Sequence, residues 1–452
     1  MSYGYPQEVQ EGLLRNGISV WDRIRVKKNG TQVEGILLPR PNLLPGKALV
    51  IKLDNGYNVG VLLEGATVEL VAKGASPTEP QLPLASNTSG TGETKISLLS
   101  AGGTISSRVD YSTGAVFPAL TAQELASFFP ELSSMARIKT VPVFNLLSED
   151  MHPKHWISLA EKVYSEVAEG ADGVVITHGT DTMHYTAAAL SFMLPDVGVP
   201  VVLVGAQRSS DRGSSDNVMN LDCAVAAAAS DLAGVYVVMH GSMSDDYCLV
   251  HQGTRVRKMH TSRRDAFRSI GVSPVAKVTW AMGEKPSIEY LRERKKRVGG
   301  AGKLDVRLDE RVGLIYVHPG ISPEMIESLS SYYDGIVLAG TGLGHAPTNP
   351  GGDPLARSVL PAIRSLISSG IPVVMAPQTI YGRINMNVYA AGRLLKEAGV
   401  IGDGCDWTPE AALVKLMFVL GHTKDMRQVK VMMERDLAGE ITTISHPGAF
   451  LT

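Results

Sequence analysis

Four short apolar runs, Ile96 to Ser100, Gly173 to Thr177, Val201 to Val204 and Val235 to Met239, each give way to glycine and polar residues, and helix-length stretches lie between them. Residues that are apolar at successive positions, and not at alternating ones, need cover on both faces, which parallel strands obtain from crossover helices. The spacing therefore predicts a parallel α/β unit. In such sheets the polar groups just past the carboxyl ends of the strands gather in one crevice, and these are the residues to inspect for chemistry.

What precedes and follows this unit differs in rhythm. From Ile18 to Val71 the pattern is one of short alternating strands, with Asn29-Gly30 and Asn55-Gly56 placed as hairpin turns that require positive φ. Five candidate strands in so short a span predict an SH3-like barrel, because closure removes exposed edges. No cluster of acids or histidines and no nucleophile–base pair falls in it, so an assembly or partner-binding role is expected. Residues 73–94 then turn to Pro, Ser, Thr and Gly, the composition of a linker. A basic run at Arg292 to Gly302 reads as a solvated connector, beyond which a second α/β lobe has strands near Gly313 to Val317, Gly335 to Leu338 and Pro372 to Met375, and helices through Ser358 to Ser368 and Met386 to Glu397. The expected organisation is a barrel (1–72), a linker (73–94), an α/β domain with the active site (95–291), a connector (292–310) and a second α/β domain with a helical tail (311–452).

Lys and Arg number 43 against 45 Asp and Glu, a formal charge of -2, which offers no chain-wide attraction for nucleic acid or acidic membrane. Cys223, Cys248 and Cys405 are far apart and outside any C-x-x-C spacing, against a disulfide framework or a cysteine zinc site. The first residues lack the basic start and apolar stretch of a signal peptide, and no apolar run reaches membrane-spanning length. A soluble cytoplasmic protein acting on small molecules is expected.

Three segments carry candidate chemistry. In Ser100-Ala101-Gly102-Gly103-Thr104-Ile105, the glycines permit a tight turn with free backbone N–H groups beside the Thr104 hydroxyl, which supplies a nucleophile and an oxyanion hole together. The second segment, Thr177-His178-Gly179-Thr180-Asp181-Thr182, ends another strand, with a helix starting near Met183. Asp181 or Thr182 is a candidate cap for that helix, the plain alternative to a catalytic role. The third, Arg255-Val256-Arg257-Lys258-Met259-His260-Thr261, follows the strand at Val235 to Met239. A threonine hydroxyl needs a base, and Lys258 serves if burial and the neighbouring Arg255 and Arg257 hold it neutral. His152 and His155 share a helical face without an obvious third metal ligand, so a surface helix start is expected there, and His240, Asp245, Asp246 and His251 are read as structural loop residues.

The G-G-T-I turn, the H-G-T-D-T segment and the K-M-H-T-S segment, in this order, resemble the bacterial-type L-asparaginase and glutaminase superfamily over roughly residues 95 to 435. The resemblance implies a two-lobed asparaginase-like fold, with Thr104 as the nucleophile that forms the acyl-enzyme and Thr180, Asp181 and Lys258 as the cluster that activates hydroxyl or water. Resemblance alone decides that Thr104 attacks before Thr180. It further implies that Ser148, in Leu147-Ser148-Glu149-Asp150-Met151, holds the substrate α-carboxylate, that Asp181 meets the α-ammonium, and that Tyr111 lies in a mobile loop and polarises Thr104 on closure. No cofactor or metal is implied on this chain. The barrel, the linker and Gln378-Thr379-Ile380-Tyr381-Gly382-Arg383-Ile384-Asn385 narrow the resemblance to the D subunits of archaeal glutamyl-tRNA(Gln) amidotransferases. Those imply release of ammonia from glutamine to an E subunit that uses ATP and Mg and binds Glu-tRNA(Gln), with a homodimer inside a heterotetramer. A free cytoplasmic L-asparaginase is the alternative within the superfamily, and a catalytically retired scaffold the alternative outside enzymology.

Overall fold

The structure, a computed structural model, describes residues 5–40, 46–53, 58–74, 88–89, 93–102, 107–109, 116–118, 135–208 and 215–450. The amino-terminal region begins with a helix, α1 (Gln7–Arg15), that the sequence analysis does not anticipate. Five strands follow: β1 (Arg23–Lys28), β2 (Thr31–Leu38), β3 (Ala48–Lys52), β4 (Asn58–Leu62) and β5 (Thr67–Ala72). They form one antiparallel sheet in the order β4-β3-β2-β1-β5. Asn29 (φ 48°) and Gly30 (φ 77°) make the β1–β2 turn with both residues left-handed, as an Asn-Gly hairpin requires. The other expected hairpin, Asn55-Gly56, lies outside the described residues.

Among the described residues no ladder joins β4 to β5, so the small barrel is not sealed by hydrogen bonds all round. Helix α1 covers its interior instead: Val9 and Leu13, one turn apart, are buried with Ile24, Val26, Leu37, Leu49 and Ile51. The Tyr5 hydroxyl donates to Leu38 O at 2.6 Å and accepts from Val50 N at 3.1 Å, tying the start of the chain to two strands.

The main sheet has nine strands: β6 (Thr88–Ser89), β7 (Lys95–Gly102), β10 (Arg137–Leu146), β11 (Gly173–Thr177), β12 (Pro200–Val204), β13 (Gly234–His240), β14 (Tyr247–Gln252), β17 (Ala276–Thr279) and β18 (Ser287–Tyr290). Short hairpins β8–β9 (Ser107–Val109, Val116–Pro118) and β15–β16 (Val256–Lys258, Phe267–Ser269) lie outside it. The order is β18-β17-β14-β13-β12-β11-β7-β10-β6, with β10, β7, β11, β12 and β13 parallel and the outer strands antiparallel. All four expected strands are present, and β11 and β12 are buried at every position, as double-sided cover demands. Helices α2 (Pro153–Ala168), α3 (Met183–Met193) and α4 (Asn217–Ala228) supply that cover.

The second lobe has a smaller parallel sheet, β19 (Val312–Tyr316), β20 (Gly335–Gly340) and β21 (Val373–Pro377), with helices α5 (Pro323–Ser328), α6 (Leu360–Ser368), α7 (Ala390–Glu397), α8 (Pro409–Leu420) and α9 (Met426–Glu434). Helix α8 is buried at eleven of its twelve residues. It packs on β20 and β19 of its own lobe and on α3 of the first, so one hydrophobic core runs through both lobes. The helical tail ends at Glu434, and residues 435–446 run on without regular structure.

The basic connector is not simply solvated. Arg292 donates to Gln252 Oε1 (2.8 Å) and Ser273 O (2.9 Å), Arg294 pairs with Asp231 (3.1 Å) and lies on the Tyr290 ring, and Arg297 donates to Ala228 O (2.8 Å). A run of cations looks free in sequence because its acceptors, 19 to 69 residues away, are not visible there.

Candidate active site

The parallel strands end along one edge, and the candidate segments begin there. Gly102, the last described residue before Thr104, has φ 93° and abuts β10: a Cβ on it would stand 2.3 Å from Leu146 O, so only glycine fits. Thr104 and Tyr111 themselves lie outside the described residues. Ser148 opens the 3-10 turn that follows β10 and is buried against Gly179, where an added Cβ would stand 2.5 Å from the Ser148 Cβ. Ser148 and the Thr177–Thr182 segment are thus brought into direct contact.

That segment is held from beneath by His178, which sequence reasoning passed over. His178 is fully buried, Nδ1 is 2.7 Å from Gly179 O and Nε2 is 2.8 Å from Thr186 Oγ1. Burial pushes its pKa down to about 4, so the ring is neutral near neutral pH. A carbonyl only accepts, so Nδ1 carries the proton, Nε2 accepts, and the Thr186 hydroxyl donates. Every polar atom of the ring is engaged in fixing the loop.

Thr182 precedes α3 without capping it through its side chain; its hydroxyl donates to Ser148 O at 2.7 Å. Asp181 does not cap either. Its Oδ1 accepts from Lys258 Nζ at 2.7 Å, and Lys258 also donates to Thr180 Oγ1 at 2.8 Å. The capping alternative therefore fails on both residues. Thr180 and Lys258 are nearly enclosed, whereas the Asp181 side chain is 66% exposed at the mouth of the cleft.

Lys258 arrives by a route the sequence reading misplaced. It does not follow β13 directly: β14 intervenes, and Lys258 is the last residue of β15, paired with Phe267 of β16. Nor do its neighbours act as a pool of uncompensated positive charge. Arg255, fully buried, is paired with Asp406 Oδ2 at 2.7 Å, and Arg257 with Glu410 Oε1 at 2.7 Å. Both carboxylates belong to the second lobe.

Asp181 and Lys258, with His184, Tyr185, Arg257 and Glu410, line a cleft of about 390 Å³ between the lobes, within the size range of small-molecule sites. Burial lowers His184 to about 4 and raises Tyr185 to about 12. Glu410 Oε2 and His184 Nδ1 are buried without a protein partner among the described residues. Glu410, His184 and Tyr185 had no sequence signal beyond lying at helix starts.

The remaining candidates have structural duties. His152 caps α2 and shares a capping box with His155, whose Nδ1 accepts from His152 N at 3.0 Å. His240 binds Asn220 Oδ1 (2.6 Å) and Asp245 Oδ1 (3.2 Å), Asp246 accepts from Ser242 Oγ (2.6 Å), and His251 binds Ser269 Oγ (2.8 Å). In the 378–385 segment, Gln378 Nε2 donates to Val317 O and Ala339 O, and Arg383 to Thr442 Oγ1, which places the segment in the second lobe's own framework.

A two-lobed fold with a threonine, aspartate and lysine joined at the sheet edge defines an asparaginase/glutaminase-type amidohydrolase. Family models agree: asparaginase, N-terminal, matches residues 95–294, and glutaminase/asparaginase C-terminal domain matches 311–433. The thermostable L-asparaginase from Thermococcus kodakarensis superposes with TM-score 0.68 at 35% identity, covering 78% of this chain and 100% of its own. L-asparaginase I from Vibrio cholerae does so with TM-score 0.64 at 30%, covering 77% and 99%. Both leave about a fifth of the chain unmatched. Residues 18–71 match the GatD N-terminal domain model. The D subunit of the Pyrococcus furiosus glutamyl-tRNA(Gln) amidotransferase is 50% identical over 98% of this chain and 99% of that protein, and its Methanobrevibacter smithii counterpart is 45% identical over 99% of each. The chain belongs to the family of glutamyl-tRNA(Gln) amidotransferase D subunits, and the alternative of a free L-asparaginase is set aside.

Proposed function

We propose that this chain is the glutaminase of a tRNA-dependent amidotransferase, working through a threonine acyl-enzyme. The observation that carries the reading is Lys258 Nζ bonded at once to Thr180 and Asp181 beside Ser148, in a chain similar to D subunits along nearly its whole length. Thr104 Oγ attacks the side-chain amide carbon of glutamine while its proton passes to the Thr180–Asp181–Lys258 cluster. The tetrahedral adduct collapses by breaking the C–N bond, and the leaving nitrogen takes the proton held by the cluster as ammonia departs, leaving an ester on Thr104. A water molecule then loses a proton to the same cluster and attacks the ester carbon, and the ester C–O bond breaks as the cluster returns that proton to Thr104 Oγ, releasing glutamate and free Thr104.

Ser148 holds the α-carboxylate. The exposed edge of Asp181, whose other oxygen is committed to Lys258, faces the α-ammonium, because each charged end of an amino acid needs a partner when water is excluded. Tyr111 polarises Thr104 on loop closure. No cofactor or metal is assigned to this chain; ATP and Mg belong to an E subunit that takes the ammonia and binds Glu-tRNA(Gln). We place the complex in the cytoplasm as a heterotetramer built on a homodimer of this chain. Among the described residues no helix is long and apolar enough to cross a membrane.

Purification of the tagged chain from its own cells tests this reading. Co-isolation of a second protein at equal stoichiometry, with glutamine-specific tRNA and glutamine-dependent ammonia release, is the expected result. A chain that comes alone and hydrolyses asparagine briskly would overturn it. Deleting residues 1–94 is expected to abolish assembly or coupling.

A further inference from the structure

The cleft is closed from the second lobe by the first turn of α8. That turn is held rigidly: Thr408 caps it by accepting from Ala411 N at 3.1 Å, Pro409 occupies its first position, and the helix body is buried between β20 and α3. Helix α3 itself begins two residues after Asp181. The same turn of α8 therefore packs beside one half of the Thr180–Asp181–Lys258 cluster and, through Glu410, grips the hairpin that carries the other half.

The grip is specific. Glu410 is buried, its Oε1 accepts from Arg257 Nε at 2.7 Å, and its Oε2 has no partner among the described residues, so Arg257 is its single hydrogen-bond partner there. Arg257 directly precedes Lys258 in β15, and both side chains line the cleft. Arg257 bonds to Glu410 while Lys258 bonds to Thr180 and Asp181, so the two share no hydrogen-bond partner there. A displacement of about 1 Å in such a support is enough to cost on the order of a hundredfold in rate.

We propose that Glu410 is a positioning residue for Lys258: by holding Arg257, the second lobe sets β15 where Lys258 reaches Thr180 and Asp181, and the cluster is complete only with the lobes in contact. The proposal rests on the catalytic reading of Lys258 given above.

Ammonia release from glutamine is measured for the full chain carrying E410A, R257A, the double substitution, E410Q and, as reference, K258A. E410A and R257A are each expected to lower kcat about 10- to 100-fold with KM for glutamine nearly unchanged. The double variant should be no worse than the poorer single, since both remove one contact. E410Q, whose amide oxygen still accepts from Arg257, should recover most of the rate, which a general loss of stability would not allow. Folded E410A and R257A at wild-type kcat, or effects that multiply in the double variant, overturn the proposal. Should E410A not fold, R257A, which removes a partly exposed side chain, decides by the same kcat criterion. An inactive K258A beside fully active R257A and E410A sinks the clamp and leaves the site standing; a fully active K258A sinks both.

Discussion

The two α/β lobes are built alike, from parallel strands with polar residues past their carboxyl ends, yet among the described residues only one gathers the candidate catalytic groups. In the second lobe Gln378 and Thr341, at the strand ends, are satisfied at home: Gln378 Nε2 donates to Val317 O and Ala339 O, Thr341 Oγ1 to His345 O, and Thr341 and His345 form a bridge of their own. In the first lobe the corresponding groups are brought to one another across the cleft, with Lys258 meeting Thr180 and Asp181 from 78 and 77 residues away. Topology offers an edge crevice in both. In the first lobe the loops are braced from below, by His178 and Thr182, and Thr180, Asp181 and Lys258 bond to one another instead.

The largest test of that contrast is loss of the facing groups. Lys258→Ala and Thr104→Val should each lower ammonia release by about a thousandfold or more while melting temperature changes little. Steady-state kinetics beside thermal melts of the same samples would show it. Full activity in either variant would remove the mechanism.

The second lobe should answer with stability. Lys415 and Glu440 are both 0% exposed and 2.5 Å apart, and Lys415 also donates to Met433 O and Arg435 O. Lys415→Met leaves Glu440 buried without its counter-charge and is expected to cost about 3–5 kcal/mol, read as a lower urea midpoint with turnover per folded molecule largely kept. A variant as stable as the parent would mean that the pair is not what holds the tail.

Acid should separate the lobes next. His178 and His184 are held at about 4 and His251 at about 3, each chiefly by burial, against an ordinary value of 6.5, and all three lie in the first lobe. Around His184 stand Glu410, Arg257, Lys258 and His178, and beside His251 stands Arg268. Because the folded state binds fewer protons than the unfolded chain, their contribution is complete above about pH 6.5 and is withdrawn as pH falls toward about 4 for His178 and His184 and toward about 3 for His251, at about 1.4 kcal/mol per unit of depression. Amide exchange by mass spectrometry should quicken in β11–β13 before β19–β21 on acidification over that window. Equal response in both sheets would show that the buried histidines do not set the acid limit.

How much of this is legible beforehand follows the range of the interactions. The strands at 96–100, 173–177, 201–204 and 235–239, and the Asn29-Gly30 turn, rest on patterns a few residues long, and they fold as expected. Helix α1 escapes a reading of the sequence although Val9 and Leu13 have helical spacing, because its apolar face makes sense only against the sheet that it covers. Lys258 stands out through its companions in a motif, but the carboxylates that pair with Arg255 and Arg257 do not, since they are 151 and 153 residues away. Glu410, likewise, has meaning only once α8 is laid across α3.

The smallest effect is expected where the second lobe is most like the first. Gln378 follows β21 as His178 follows β11, and its amide spans the carboxyl ends of β19 and β20 by donating to Val317 O at 2.8 Å and Ala339 O at 2.9 Å. Gln378→Ala removes both donors. Water can reach the partly buried site, so the loss should stay near 1–2 kcal/mol, the ordinary scale for hydrogen bonds of this kind. Turnover should not change, because the Gln378 amide is spent on its own lobe's carbonyls and is not among the groups that line the cleft. A clear fall in kcat with intact stability would instead assign this strand end to the reaction, and the contrast between a braced active edge and a self-satisfied inert one would no longer hold.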